Sequence, residues 1–222
     1  MISNFPGTAS QDELLQAYTA LFLFLGGSIS LSPSESALPH ICDTGLLRNL
    51  PVSNNNHDYQ QASRLLKSPC QFKETCHTTV DNNYKTLLSG DHTSSAYPAA
   101  SLWFNNGTDR NEHQMQLELL YQRYGYCREE ACHLEADHLG IQLLFINLLI
   151  EKYLTEDDNE IREMIRKDLL DFITDEVLVW IPRWAEAVTE KSVTKCYTGI
   201  SGLITGGLQD IKEILRSQKF GL

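Results

Sequence analysis

Twelve residues, Cys127 to His138, read CREEACHLEADH and hold two cysteines, three glutamates, one aspartate and two histidines. Those residue types suit a metal ion or acid–base work, so their spacing decides. Cys127-x4-Cys132-His133 follows a similar upstream cluster, Cys70-x5-Cys76-His77. Structural zinc takes its thiolates from tight pairs, because one short turn must aim both at one ion. The downstream spacer is at the limit of that pattern and the upstream one is outside it. A small zinc protein built on Cys70, Cys76, Cys127, Cys132 and His133 is the alternative reading of the chain. A di-iron site needs Glu-x-x-His on two different helices. Glu130-x-x-His133 and Glu135-x-x-His138 lie in one segment and cannot face one ion from opposite sides.

Other chemistry finds less support. Gly199-Ile200-Ser201-Gly202 only approaches the Gly-x-Ser-x-Gly elbow, and its context is helical rather than strand-to-helix. No phosphate-binding Gly-x4-Gly-Lys-[Ser/Thr] occurs, and Gly206-Gly207 reads as a turn between helices. The expectation is a protein that is not an enzyme and holds no cofactor. Asp137-His138 then remains, at the start of the most apolar stretch, Leu139 to Ile150. An aspartate there either caps the helix at its positive end or meets a cationic partner. Local physics leaves both open.

The elements that must position these residues are helical. Apolar residues recur at helical spacing in Gln11–Leu25, where Gly26-Gly27 are read as the end. Ser32-Pro33-Ser34-Glu35 reads as a helix start. Further helices are expected around Tyr59–Leu66, over Thr78–Leu88, and from an Asn111 cap through Leu117, Leu120, Tyr121 and Tyr124 to Gly125. Residues 97–106 are apolar and irregular. A central helix is expected from Asp137 to Leu154, because its faces are nearly all apolar. Asp158 opens the next, with Ile161, Ile165, Leu169 and Phe172 inward. Another surrounds Val177–Thr189, with Pro182 either in its first turn or kinking it. The last two cover Lys191–Ile204 and Leu208–Arg216. The fold class is all-α: a helical bundle with an N-terminal half, 1–125, a hinge, 126–136, and a C-terminal half, 137–222.

Bulk properties narrow the partners. The 222 residues carry a formal net charge of −11, so a nucleic-acid partner is not expected and a cationic one is attracted. No apolar stretch reaches the roughly 20 residues that span a bilayer, and the N-terminus has no secretory pattern. A cytoplasmic location is expected, without membrane insertion. In that reducing compartment the six cysteines are expected as thiols.

Four segments resemble the TorD/DmsD family of NarJ-like redox-enzyme maturation chaperones. DNNYKTLLSG, Asp81 to Gly90, is similar to the family's aromatic-x-x-Leu-Phe-x-Gly pattern, with Leu88 replacing Phe. YPAASLWFN, Tyr97 to Asn105, resembles Pro-x-x-Ser-Val-Tyr/Trp-Leu, with Ala100 where an acidic residue or Gly is usual. LEADH, Leu134 to His138, resembles Glu-Pro-x-Asp-His without the proline. Trp180 to Leu208 is similar to the family's Trp-x-Pro…Phe-Tyr…Leu-Thr region, with Cys196 where Phe is usual. The resemblance implies a chaperone that binds the twin-arginine leader, and the folded part, of a molybdenum-cofactor enzyme's catalytic subunit. It implies a leader-binding surface at Tyr84, Leu87, Leu88, Pro98, Ser101, Trp103, Asp137 and His138. It also implies either a monomer or a homodimer that exchanges halves at the hinge. GTP binding is reported in the family, but no site for it is visible in this sequence.

Overall fold

A computed structural model describes residues 10–36, 56–67, 75–90, 93–104, 109–127 and 133–217. Among these, eight α-helices and no strand are found. They are α1 (Gln11–Ser30), α2 (His57–Lys67), α3 (Cys76–Leu87), α4 (Arg110–Arg123), α5 (Leu139–Thr155), α6 (Asn159–Asp171), α7 (Ile181–Lys191) and α8 (Lys195–Ser217). A 3-10 turn, Ala100–Leu102, precedes α4, and a π-helical turn, Phe172–Val177, extends α6. The all-α expectation therefore holds. No helix among the described residues is long and apolar enough to cross a membrane.

The apolar helix is central, as its sequence predicts. α5 buries Leu139, Ile141, Leu143, Phe145, Ile146, Leu149, Ile150 and Tyr153, which lie all around its axis. α1 and α6 lie against it, and α8 receives α1, α2 and α7. Tyr121, Tyr124, Tyr126 and Phe172 surround Phe145, with ring centroids 4.7–5.9 Å away. Helices from before the hinge thus bury their apolar stripes on helices from after it.

Two glycine pairs correct the expected boundaries. α1 opens on a Ser10–Glu13 capping box, but it runs through Gly26-Gly27 to Ser30. A Cβ on Gly26 would sit 3.6 Å from the Gly140 carbonyl oxygen, so this is where α1 crosses α5. Gly206-Gly207 is likewise no turn, because α8 is continuous. Gly199, Gly202 and Gly206 fall on one face, at steps of three and four residues, and α2 lies against it. A Cβ there would come within 2.5 Å of Leu66 Cγ, 2.7 Å of Ala62 Cβ and 2.9 Å of Tyr59 Cβ respectively. The residues that only approached a nucleophile elbow are therefore a packing stripe. Beside it, Tyr18 Oη donates to Asp210 Oδ2 at 2.5 Å and Asn56 Nδ2 donates to Asp210 Oδ1 at 2.8 Å. One buried carboxylate ties α1 and the start of α2 to α8.

Smaller corrections follow the caps. Asp109, not Asn111, caps α4, accepting from the amides of Asn111 and Glu112. Asp158 caps α6 as expected, but Ile161 is exposed while Ile165, Leu169 and Phe172 are buried. Pro182 sits in the first turn of α7. Ser32–Ser36 form a turn, in which Ser36 N donates to the Ser32 carbonyl; the helix expected beyond it lies outside the described residues. Cys76 is disulfide-bonded, against the expectation of thiols throughout, whereas Cys127 and Cys196 are thiols. That expectation came from the compartment and carried no information about which sulfurs the fold brings together.

The glycine stripe gives a paired test. Gly206→Ala should destabilise the chain by about 1–2 kcal/mol, because the new methyl meets Tyr59 main chain rather than a flexible side-chain end. Gly27→Ala, with nothing within 4 Å, should stabilise by about 0.5–1 kcal/mol through helix propensity alone. Urea unfolding of both variants measures the difference, and equal effects would remove the packing explanation.

Candidate functional site

The segment Ala96–Phe104 has little regular structure, so its main-chain groups must find partners elsewhere. They find them on four sides. Ala96 N donates to the Leu87 carbonyl at the end of α3, at 2.9 Å. Leu139 N, the first amide of α5, donates to the Pro98 carbonyl at 2.7 Å. Ala100 N donates to the Asp137 carbonyl at 3.1 Å, and Ser101 N donates to Asp137 Oδ2 at 2.8 Å. Ala99 and His138 form an isolated antiparallel bridge. Two consecutive residues of α7 hold the ends of the segment: Trp184 Nε1 donates to the Ala96 carbonyl and Arg183 Nη1 to the Trp103 carbonyl, both at 2.9 Å.

The hinge end is built as tightly. Asp137 is fully buried, and its second oxygen accepts from Gln114 Nε2 of α4 at 3.2 Å. His138, rather than Asp137, is the N-cap of α5: its Nδ1 accepts from Gly140 N at 3.1 Å. Its ring meets Tyr97 edge-on, with centroids 5.6 Å apart. Ala136 is held by Tyr121 Oη, which donates to its carbonyl at 2.7 Å. Arg110 of α4 is ion-paired with Glu135. Burial pushes His138 down to about 4 despite the nearby Asp137, so its ring is neutral and free to accept.

The eight residues that the resemblance implies are thus distributed in depth. Leu87, Leu88, Asp137 and His138 are buried, and Tyr84 and Pro98 nearly so. Tyr84 lies tilted against the Tyr197 ring, with centroids 6.3 Å apart, and burial, with Glu35 and Tyr97 nearby, pushes its hydroxyl up to about 12. Ser101 and Trp103 are half-buried, and Trp103 Nε1 donates to the Tyr97 carbonyl at 2.9 Å. Beside them Leu102 is 42% exposed and Phe104 half-buried. The segment therefore exposes Leu102 and the outer edges of Trp103 and Phe104, which otherwise pack against the core, while its main chain is fixed inward.

Several positioning residues escaped the sequence reading. Gln114, Arg183 and Trp184 carry no motif of their own, although Trp180-Ile181-Pro182-Arg183-Trp184 was visible as a unit. Asn83 gave no signal at all: its Oδ1 accepts from Ser192 Oγ, Thr194 N and Thr194 Oγ1 and fixes the link between α7 and α8. His113 of α4 contacts Glu176 Oε1 at 2.5 Å and meets the Phe104 ring edge-on. Among the described residues no three His, Cys, Asp or Glu groups gather as a metal site. Cys70 and Cys132 lie outside them, His133 is exposed, and Cys76, being disulfide-bonded, offers no thiolate.

The neutral state of His138 sets an acid dependence. The unfolded chain takes up this proton near pH 6.5, while the folded one resists it until about 4. Stability should fall as pH drops through that window, by about 3 kcal/mol for this residue. His138→Asn keeps a capping oxygen and should lose that part of the slope. Unfolding curves at stepped pH measure it, and parallel slopes for the two proteins would refute the assignment.

No curated protein matches the chain. A model of the nitrate reductase delta subunit family matches residues 53–186, more than half of the chain. The match takes in the clamped segment, the hinge and both α7 residues that hold the segment. The chain therefore belongs to the nitrate reductase delta subunit family, a family of molybdoenzyme maturation chaperones.

Proposed function

We propose that the chain is a cytoplasmic chaperone that captures the twin-arginine leader of a molybdenum-cofactor oxidoreductase. It keeps the enzyme from export until the cofactor is inserted. Its partners are that leader and the folded part of the catalytic subunit, with neither nucleic acid nor membrane insertion involved. The observation that carries the reading is the segment Ala96–Phe104, held at both ends, with Leu102 exposed and Trp103 and Phe104 half-buried beside it against the core. A surface fixed before binding loses little entropy on capture. A leader supplies an apolar stretch for those side chains and two arginines for a chain of net charge −11.

In this reading the eight site residues divide their work. Pro98, Ser101 and Trp103 belong to the contact segment. Tyr84, Leu87 and Leu88 form its floor. Asp137 and His138 hold it in place, since both Asp137 oxygens are already engaged by Ser101 and Gln114. The division at 126–136 into two halves belongs to the same proposal. Because α1 and α2 bury themselves on α5 and α8, exchange of halves between two copies would recreate the same core between chains. Either a monomer or an exchanged dimer satisfies that packing.

Calorimetry with a leader peptide from a neighbouring molybdoenzyme gene tests the reading. Binding should weaken between about 50 and 500 mM salt as charge attraction is screened. Trp103→Ala should cost about tenfold in affinity with an unchanged fold. Asp137→Ala should act through the fold, removing about 2–3 kcal/mol of stability by leaving the Ser101 amide and Gln114 unpaired. If no leader encoded beside this gene binds, the reading fails.

A further inference from the structure

His113 and Glu176 stand outside every role assigned so far. His113 lies on α4 and is buried; Glu176 lies on the π-helical turn between α6 and α7. Nε2 and Oε1 are 2.5 Å apart, and the carboxylate remains partly open to water. The imidazole ring meets Phe104 edge-on, with centroids 5.1 Å apart and planes at 87°. The next residue, Gln114, holds Asp137. One side of this pair is therefore the last residue of the clamped segment, and the other is a turn of the C-terminal half.

The charged groups around the imidazole are few. Glu176 faces it from the π-helical turn and Asp137 acts on it from the hinge. One turn back on α4, Arg110 is engaged with Glu135. The segment itself presents only the Phe104 ring. Burial pulls the imidazole down, but the hydrogen bond and charge of Glu176, with Asp137 behind them, leave it raised above the ordinary histidine value. Among the described residues its Nδ1 has no partner, and the contact with Glu176 is the one hydrogen bond on the ring.

We infer that His113 and Glu176 form a titratable brace that positions Trp103 and Phe104 for capture and loosens as the pH rises. Protonated, the ring makes a charge-assisted bond to the carboxylate and places a cation against the Phe104 ring. Deprotonated, it keeps only a neutral hydrogen bond, and both attractions weaken. The sign follows from the raised folded value: the brace is complete below the unfolded histidine value of 6.5 and is lost as pH rises through the folded one. His113 and Glu176 are positioning residues that act through Phe104. The contact itself stands on the geometry and its pH sign on the raised value; its consequence for capture rests on the proposed function.

Proton NMR of the full chain between about pH 5.5 and 9 separates the two. His113 should titrate above 6.5, and the Trp103 indole N–H resonance should move with it. In Glu176→Gln the His113 midpoint should fall and the linked Trp103 movement should vanish; His113→Gln should also abolish that movement. Titration of His113 at or below 6.5, or a Trp103 resonance indifferent to it, would overturn the brace. Leader affinity by calorimetry should drop about fivefold from pH 6 to pH 8.5 in the wild-type chain and stay level in both variants. Equal pH profiles in wild type and His113→Gln would overturn the link to capture. A leader that binds at no pH would sink the proposed function while the resonances still decide the brace.

Discussion

A fully buried carboxylate at Asp137 is the constraint on which the arrangement of the site depends. An ionised group out of water costs several kcal/mol unless donors surround it. Here the donors come from two separate elements, the Ser101 amide of the segment and the Gln114 side chain of α4. Asp137 can be buried only when hinge, segment and α4 have all met. The neighbouring His138 ring is neutral, so it brings no positive charge to the acid beside it at the start of α5. The first amides of that helix are then satisfied outside it: Leu139 by the Pro98 carbonyl and Gly140 by the His138 ring. Hinge and segment complete one another's hydrogen bonds, and neither is complete alone.

The helices themselves were legible because apolar spacing reports which face a helix buries. α5 was recognisable as central from its lack of a polar face, and α6 from Asp158 and the run Ile165, Leu169, Phe172. Glycine was misread for a physical reason. It ends helices through its freedom at positive φ, as Gly125 does here at φ 71°, but it also permits helices to cross closely. Gly26, Gly199, Gly202 and Gly206 serve the second purpose, and only the neighbour across the gap distinguishes the two. The same limit applied to Ile161, whose period placed it inward although it is 44% exposed.

The site was legible in its residues and not in their roles. Asp137 and His138 stood out by type and by position, and the aromatic segment by its irregular apolar character. The way they meet was invisible, because it depends on contacts between distant parts of the chain. Trp184 and the Ala96 carbonyl are 88 residues apart, and Arg183 and the Trp103 carbonyl are 80 apart. Spacing within a motif carries no trace of such pairs. The capping role left open for Asp137 falls to its neighbour for a related reason: aspartate is the commoner cap, but Asp137 is committed to Ser101 and Gln114, which leaves the histidine ring to cover Gly140.

The hydrogen bonds that clamp the segment to the rest of the chain act on its main chain, beside the ring contacts of Tyr97 and Phe104. The Ala96, Pro98 and Trp103 carbonyls accept, and the Ala96, Ala100 and Ser101 amides donate. These bonds do not depend on which side chain stands at the exposed position 102. Leu102 can change without removing one of these bonds, and Trp103 loses only its own contact to the Tyr97 carbonyl. Residues outside the loop, on α3, α4, α5 and α7 and at Asp137, carry the cost of holding its main chain, and Leu102 carries none of it. On the proposed function, that separation lets the contact surface be refitted to a different leader while the hinge, the clamp and the core stay as they are.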